Sequence, residues 1–402
     1  MPSPLQAIPS AAPLRACALL LAALAGAPAG AALSDTIQPY VGLTYTHDDN
    51  LLRLRDDAAG QRSDAVRSVV FGFSAERPIG RQRLKASARV TRVDYDHFSQ
   101  FNYNGKDAAA SLDWVLGNHL SGSLGASYGQ SLMSFTDFHT TERNLRSQRS
   151  EFADGGWTFY PRWRARGRVG RDKFDYELRS QQSLNRTVDS ELLGLDYLAG
   201  SGSTIGLQLR HEQGRYDLPQ FFGGASVRQD YRQDEVKLKV FWQLGGVTQL
   251  EFLGGHASRK HDQFSISDAS GLNARATLIW SPTATLRLTG SAWRDFSPFE
   301  GQIISYSTDK GASVDADWNV SAKVQLHGQL RRVRRELGGA SPLSAVVGAR
   351  DSNLSTLVGV SYAPRRNIQL GLSLFRERRS ADSAFSSDYH ANGATARANL
   401  QF

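Results

Sequence analysis

Ser68-Val69-Val70-Phe71-Gly72-Phe73-Ser74-Ala75, the turn Pro78-Ile79-Gly80-Arg81, and Arg83-Leu84-Lys85-Ala86-Ser87-Ala88-Arg89-Val90 together decide how this chain folds. Side chains of a strand point alternately to its two faces, so an apolar residue at every second position marks a strand with one greasy side. Val69, Phe71, Phe73 and Ala75 form such a side, and Leu84, Ala86, Ala88 and Val90 form another. Arg83, Lys85 and Arg89 fall on the opposite face of the second strand. The unit is a hairpin that is apolar on one surface and charged on the other. The same alternation returns at Leu120–Tyr128, Ile205–Leu209, Leu286–Ala292, Val324–Leu330 and Ile368–Leu374.

Moving outward from that hairpin, an aromatic residue recurs at the end of every second strand. Trp114, Phe159, Tyr197, Trp242, Trp280, Trp318, Tyr362 and Phe402 follow one another at spacings of 38 to 45 residues. Short connections near 78–81, 117–119, 160–162, 199–203, 244–247, 281–284, 319–322 and 363–367 alternate with longer polar ones. The longer ones fall near 47–64, 96–104, 134–146, 172–186, 213–231, 258–270, 297–309, 335–351 and 377–388. This pattern predicts an all-β protein, a transmembrane antiparallel up-and-down β-barrel of about 18 strands and outer-membrane type. Both termini then face the periplasm, and the recurring rings form a girdle at the periplasmic interface, where aromatic side chains are most stable. A period near forty ending in Trp is also that of propeller blades. Blades hold four short strands per repeat, whereas these repeats hold two strands of about ten residues, long enough to cross a bilayer at a tilt.

Mean hydropathy is −0.39. That excludes a helical membrane protein but not a barrel, whose strands give half their side chains to a wet lumen. The apolar run Ala16–Leu33, preceded by Arg15 and containing Ala29-Gly30-Ala31, reads as a secretory signal peptide over residues 1–31, with the barrel over 32–402. A signal anchor is the alternative, disfavoured by the shortness and Ala/Gly content of the run. The only cysteine, Cys17, lies in this leader, which closes disulfide and thiolate chemistry to the mature chain. A net charge of +8 suits anionic lipid or an acidic polymer. Export makes nucleic acid an unsuitable partner. We therefore expect location in the outer membrane of a Gram-negative cell.

The sharpest local feature is Arg162-Trp163-Arg164-Ala165-Arg166-Gly167-Arg168-Val169. Lipid tolerates charge poorly at mid-depth, so Arg162, Arg164, Arg166 and Arg168 are expected to face the lumen. With Arg171, Arg83, Lys85, Arg89, Lys237 and Lys239 read at similar parity, parts of the lumen look electropositive. Either this is a path for an anionic polymer, or the arginines pair with lumen carboxylates such as Asp113, Glu191, Glu235, Glu251, Asp315 and Asp317. Arg331–Arg335 and Arg376–Arg379 are placed at the outer surface, where lipopolysaccharide phosphates would meet them. His47-Asp48-Asp49-Asn50 could hold calcium but lacks an EF-hand spacing, so a solvated acidic loop is expected. Phe241 and Trp293 have lumen parity and could stack on sugar rings. G-x-S-x-G, P-loop and H-E-x-x-H signatures are absent, and the nine histidines have no metal spacing. No catalytic residue, cofactor or metal is expected.

Thr36–Leu54, and in particular Asp49-Asn50-Leu51-Leu52-Arg53-Leu54, resembles the EpsL-type outer-membrane barrels of exopolysaccharide gene clusters that accompany exosortase/PEP-CTERM systems. The Pro161–Arg171 strand and the terminal Asn399-Leu400-Gln401-Phe402 share the likeness. The resemblance implies a porin-like barrel in exopolysaccharide biosynthesis or export, with polysaccharide and export components as partners, and implies no catalytic residues. Two other functions remain open: a general or small-solute porin, with residues 213–231 as a constriction loop, and a structural or anchoring barrel with a plugged lumen. Phe402, an aromatic residue ending the last strand, is also expected to be read by the barrel-assembly machinery.

Overall fold

A computed structural model describes residues 36–402 apart from 61, 137–140, 223–224, 264–267, 299–305, 339–348 and 382–387. The expected leader, residues 1–31, lies outside these. The first half of the chain contributes β1 (Ile37–Asp48), β2 (Asp64–Ile79), β3 (Gln82–Tyr95), β4 (Tyr103–Leu116), β5 (Leu120–Leu132), β6 (Leu145–Tyr160), β7 (Trp163–Tyr176), β8 (Arg186–Leu198) and β9 (Thr204–Tyr216). A small hairpin, β10 (Gln220–Phe222) and β11 (Ala225–Val227), interrupts the series. The second half supplies β12 (Tyr231–Leu244), β13 (Thr248–His261), β14 (Ala269–Trp280), β15 (Leu286–Pro298) and β16 (Tyr306–Asn319). It ends with β17 (Val324–Gly338), β18 (Arg350–Arg365), β19 (Ile368–Ala381) and β20 (Tyr389–Gln401).

Eighteen of these strands form one antiparallel sheet. β9 pairs directly with β12, and β1 pairs with β20 from Tyr40↔Gln401 to Asp48↔Gly393, which closes the barrel. Closure is what lipid demands, because an open sheet edge would leave backbone N–H and C=O groups without partners. The strand count and the antiparallel barrel expected from the alternation are both found.

The short turns lie at one end of the barrel. Gly117 (φ 61°) and Gly245 (φ 70°) take the left-handed backbone that tight hairpin turns require. Register then fixes the faces. Phe71 stands opposite both Val41 and Val90, and Leu207 stands opposite both Leu195 and Leu238, so these apolar side chains share the outer wall.

At the other end the strands run past the point where apolar alternation stops. The sequence places a loop at 172–186, yet β7 continues to Tyr176. Outward positions there carry charge instead of hydrocarbon, and the charges pair: Arg171–Asp189 at 2.6 Å, Lys173–Asp175 at 3.3 Å and Arg232–Asp262 at 2.7 Å. Ladder hydrogen bonds do not need lipid, so pairing continues into water. A 14-residue strand is about 46 Å long at roughly 3.3 Å per residue, more than a tilted crossing needs.

Loops pack inside this extended rim. Phe101, fully buried, contacts Tyr95, Phe98 and Phe135 with ring centroids 5.8, 5.7 and 4.9 Å away. From the loop after β5, the Thr136 carbonyl reaches across the mouth to accept a hydrogen bond from Arg379 on β19.

Candidate functional site

The lumen is the candidate site, and β7 is one of its basic walls. Outward-facing Trp163 and Val169 alternate with Arg164, Arg166 and Arg168, which turn inward. The sequence did not single out Asp196 of β8, and it is the centre of this wall. Its carboxylate is fully buried; Arg166 grips it with Nε at 2.6 Å and Nη2 at 3.1 Å, and Arg164 adds Nη2 at 2.9 Å. Arg168 lies 3.3 Å from Asp154 and 4.2 Å above the Phe152 ring. Gly206 stands beside Asp196 in the register, with Lys239 next in the same row. A Cβ on Gly206 would come within 2.3 Å of Asp196 Oδ1, so the missing side chain keeps the carboxylate in place. Arg164, Arg166 and Lys239 therefore surround one carboxylate, a local surplus of positive charge.

Arg162 does not belong to this ladder. It occupies the turn between the end of β6 at Tyr160 and the start of β7 at Trp163, and its Nη1 donates to the Tyr197 hydroxyl at 3.1 Å. Arg171 and Glu191 also part from the lumen reading: both share the outward face with Val169, because the alternation is strict through β7 and β8. The remaining lumen cations face in, and several are paired. Lys85 meets Asp113 at 2.8 Å, Arg89 meets Asp107 at 2.8 Å, and Lys237 meets Glu235 at 2.9 Å. Trp293 turns inward between Arg275 and Arg331, 4.9 and 4.8 Å from its ring centre. Phe241 has inward register but makes no described ring contact.

Towards the end opposite the short turns, the inward groups become buried networks. Asp351 is fully buried between Arg335 at 3.0 Å and Arg379 at 2.7 Å. Glu235 accepts from Gln233 at 2.8 Å and Asn273 at 2.9 Å. The expected acidic loop is only half solvated, with His47 and Asp49 exposed. Asp48 and Asn50 are buried, and the cation beside Asp48 is Arg53, 2.8 Å away, which also reaches Glu377 at 3.0 Å. The two carboxylates outweigh the desolvation that burial imposes on this guanidinium and hold its pKa above the usual value. Among the described residues no cluster of His, Asp and Glu is arranged for a metal ion.

Both basic clusters are split by the strand parity. Arg332, Arg334, Arg376 and Arg378 face outward, while Arg331, Arg335 and Arg379 face in. The loop expected as a constriction begins beyond Tyr216, with Gly223 and Gly224 outside the described residues. Its ends are tied at the rim, Tyr216 N to Asp230 Oδ1 at 2.7 Å and Arg228 N to Gln263 Oε1 at 2.9 Å. Trp114, Phe159, Tyr197, Trp242, Trp280, Trp318, Tyr362 and Phe402 lie at the ends of strands near the short turns. Phe402 donates its backbone N–H to Pro39 at 2.9 Å, across the closing seam.

Comparison with solved structures gives the same architecture at low sequence identity. The outer membrane protein OpdK from Pseudomonas aeruginosa, also solved with vanillate, aligns with a TM-score of 0.51 at 12% identity, covering 91% of this chain and 99% of OpdK. OccK2 (OpdF) from the same organism aligns with a TM-score of 0.50 at 11% identity, covering 91% and 98%. No curated protein sequence matches the chain. Residues 195–402, just over half of the chain, match the family described as "Putative beta-barrel porin 2". With the closed barrel and its inward polar wall, that match makes this chain a member of the beta-barrel porin 2 family, a porin-like outer-membrane barrel.

Proposed function

We propose that this barrel is a passive outer-membrane component of exopolysaccharide export, and that its basic lumen wall guides an acidic polysaccharide. The observation that carries the reading is the cluster of Arg164, Arg166 and Lys239 around Asp196, which leaves positive charge facing the lumen. Arginine offers a planar fork to carboxylate or sulfate groups, and the likeness of Thr36–Leu54 to EpsL-type barrels supports the pathway. Export components and the polymer itself are then its partners, and Phe402 is the residue read during barrel assembly. Deleting the gene is expected to stop secretion of the polymer, and restoring it with Arg164→Glu plus Arg166→Glu is expected to insert a barrel that secretes poorly. Normal secretion from the deletion strain would overturn the proposal.

Family membership favours a second reading, a channel for small solutes. Conductance in planar bilayers, together with an unchanged polymer phenotype on deletion, selects it. Buried networks around Asp351 and Glu235 favour a third, an anchoring barrel with a plugged lumen. That reading requires polymer binding without conductance.

A further inference from the structure

On the outer wall, an open groove of about 460 Å³ runs across β14, β15 and β16. Its floor is made of alanines, with Ala276 opposite Ala292 and Ala292 opposite Ala312. Phe252 of β13, opposite Ala276, closes one side. One outward step above this row, the register sets three cations side by side: Arg294 opposite Lys310, and Lys310 opposite Arg334. Arg332, opposite Ala312, brings a fourth to the edge of the groove.

Like charges directly opposite one another destabilise a sheet, and elsewhere on the outward face such pairs have carboxylates of their own. Arg149 opposite Lys173 is served by Glu151 and Asp175, and Arg232 opposite Lys260 by Asp262. Here the only nearby carboxylate among the described ion pairs is Glu336, 3.2 Å from Lys310 and 3.7 Å from Arg350. Arg332 and Arg334 are exposed and make no described ion pair. An anion from outside the chain would relieve this row.

Height on the barrel identifies the anion's surroundings. Lys310 lies eight residues above the girdle residue Trp318 on the same strand, roughly 26 Å along the strand at about 3.3 Å per residue. Tilt reduces this to about 20 Å, near the top of an apolar band about 25 Å tall. The cations therefore sit at outer-leaflet headgroup level, and the alanine groove lies at acyl-chain depth beneath them. Three cations on adjacent strands spread over about 10 Å, which suits an anion with two phosphates better than a single phosphodiester.

We propose that this groove binds the lipid A portion of lipopolysaccharide, with an acyl chain over Ala276, Ala292 and Ala312 and phosphate groups on Arg294, Lys310, Arg332 and Arg334. The site is independent of what the lumen carries. The test uses the purified full-length barrel in detergent, with retention of bisphosphorylated lipid A, dephosphorylated lipid A and phosphatidylglycerol read by native mass spectrometry. Bisphosphorylated lipid A is expected to be retained at least tenfold better than either of the others. Lys310→Ala plus Arg334→Ala is expected to remove that preference, and Ala292→Phe to weaken retention with all four cations in place. Each variant's folding is checked by its compact electrophoretic mobility before heating, and Arg376→Ala plus Arg378→Ala, outside the groove, is expected to bind normally. Equal retention of the dephosphorylated lipid or of phosphatidylglycerol, or wild-type binding by the folded Lys310/Arg334 variant, would overturn the assignment.

Discussion

Charges that face the lumen and charges that face outward obey different rules in this barrel. Inside, Asp196 and Asp351 are fully buried, and each is held by two arginines. Outside, Asp189 also serves two arginines, Arg171 and Arg215, but all three remain in contact with water. A buried carboxylate without its partners is costly, whereas an exposed ion pair contributes little. The same triad therefore has different weight on the two faces, and on the outer face the barrel can leave exposed cations such as Arg332 and Arg334 without a described ion pair.

Three substitutions test that contrast. Asp351→Ala should have the largest effect, because it leaves Arg335 and Arg379 without their shared carboxylate in a closed pocket. Loss of such a partner costs about 3–5 kcal/mol, visible as a lower temperature for conversion from the compact to the extended gel band. Asp196→Asn should cost less, about 1–3 kcal/mol, since Arg164 is about one-third exposed and can turn to water. Its clearer signature should be a bilayer reversal potential shifted towards anions, and an unchanged potential would separate Asp196 from the conducting path. Asp189→Ala should be nearly silent, within about 1 kcal/mol. A loss as large as that of Asp351→Ala would show that exposure does not divide these triads.

The transmembrane wall was legible because lipid imposes a period of two and water imposes none of it. Phe71, Phe73, Ala86 and Ala88 announce their faces without any knowledge of a partner strand, and the short turns around Gly117 and Gly245 follow from them. Above the membrane that signal stops while the ladder continues, so β7 runs to Tyr176 and β9 to Tyr216, several residues into the loops expected from 172 and 213. The centre of the lumen was harder to read. Asp196 shares the inward parity of its strand, but nothing local distinguishes it from any other lumen carboxylate. Its importance comes from register: β8 places it beside Arg164 and Gly206. Arg53 was hidden for a related reason, because its partner Glu377 lies 324 residues away in the chain.

The first loop has a further consequence for the order of events. Asn50 donates its side-chain amide to the His390 carbonyl at 2.9 Å, Asp49 accepts from Asn392 at 2.9 Å, and Arg53 reaches Glu377. All three contacts join the loop after β1 to β19 and β20, the hairpin made last among the barrel's eighteen strands. Asn50 and Arg53 therefore act as a latch that has nothing to engage until the final hairpin has arrived. A barrel missing its last hairpin would hold this loop unlocked, with the charges of Asp48 and Arg53 exposed. Closure of the seam between β1 and β20 is thereby reported at the end of the barrel opposite Phe402.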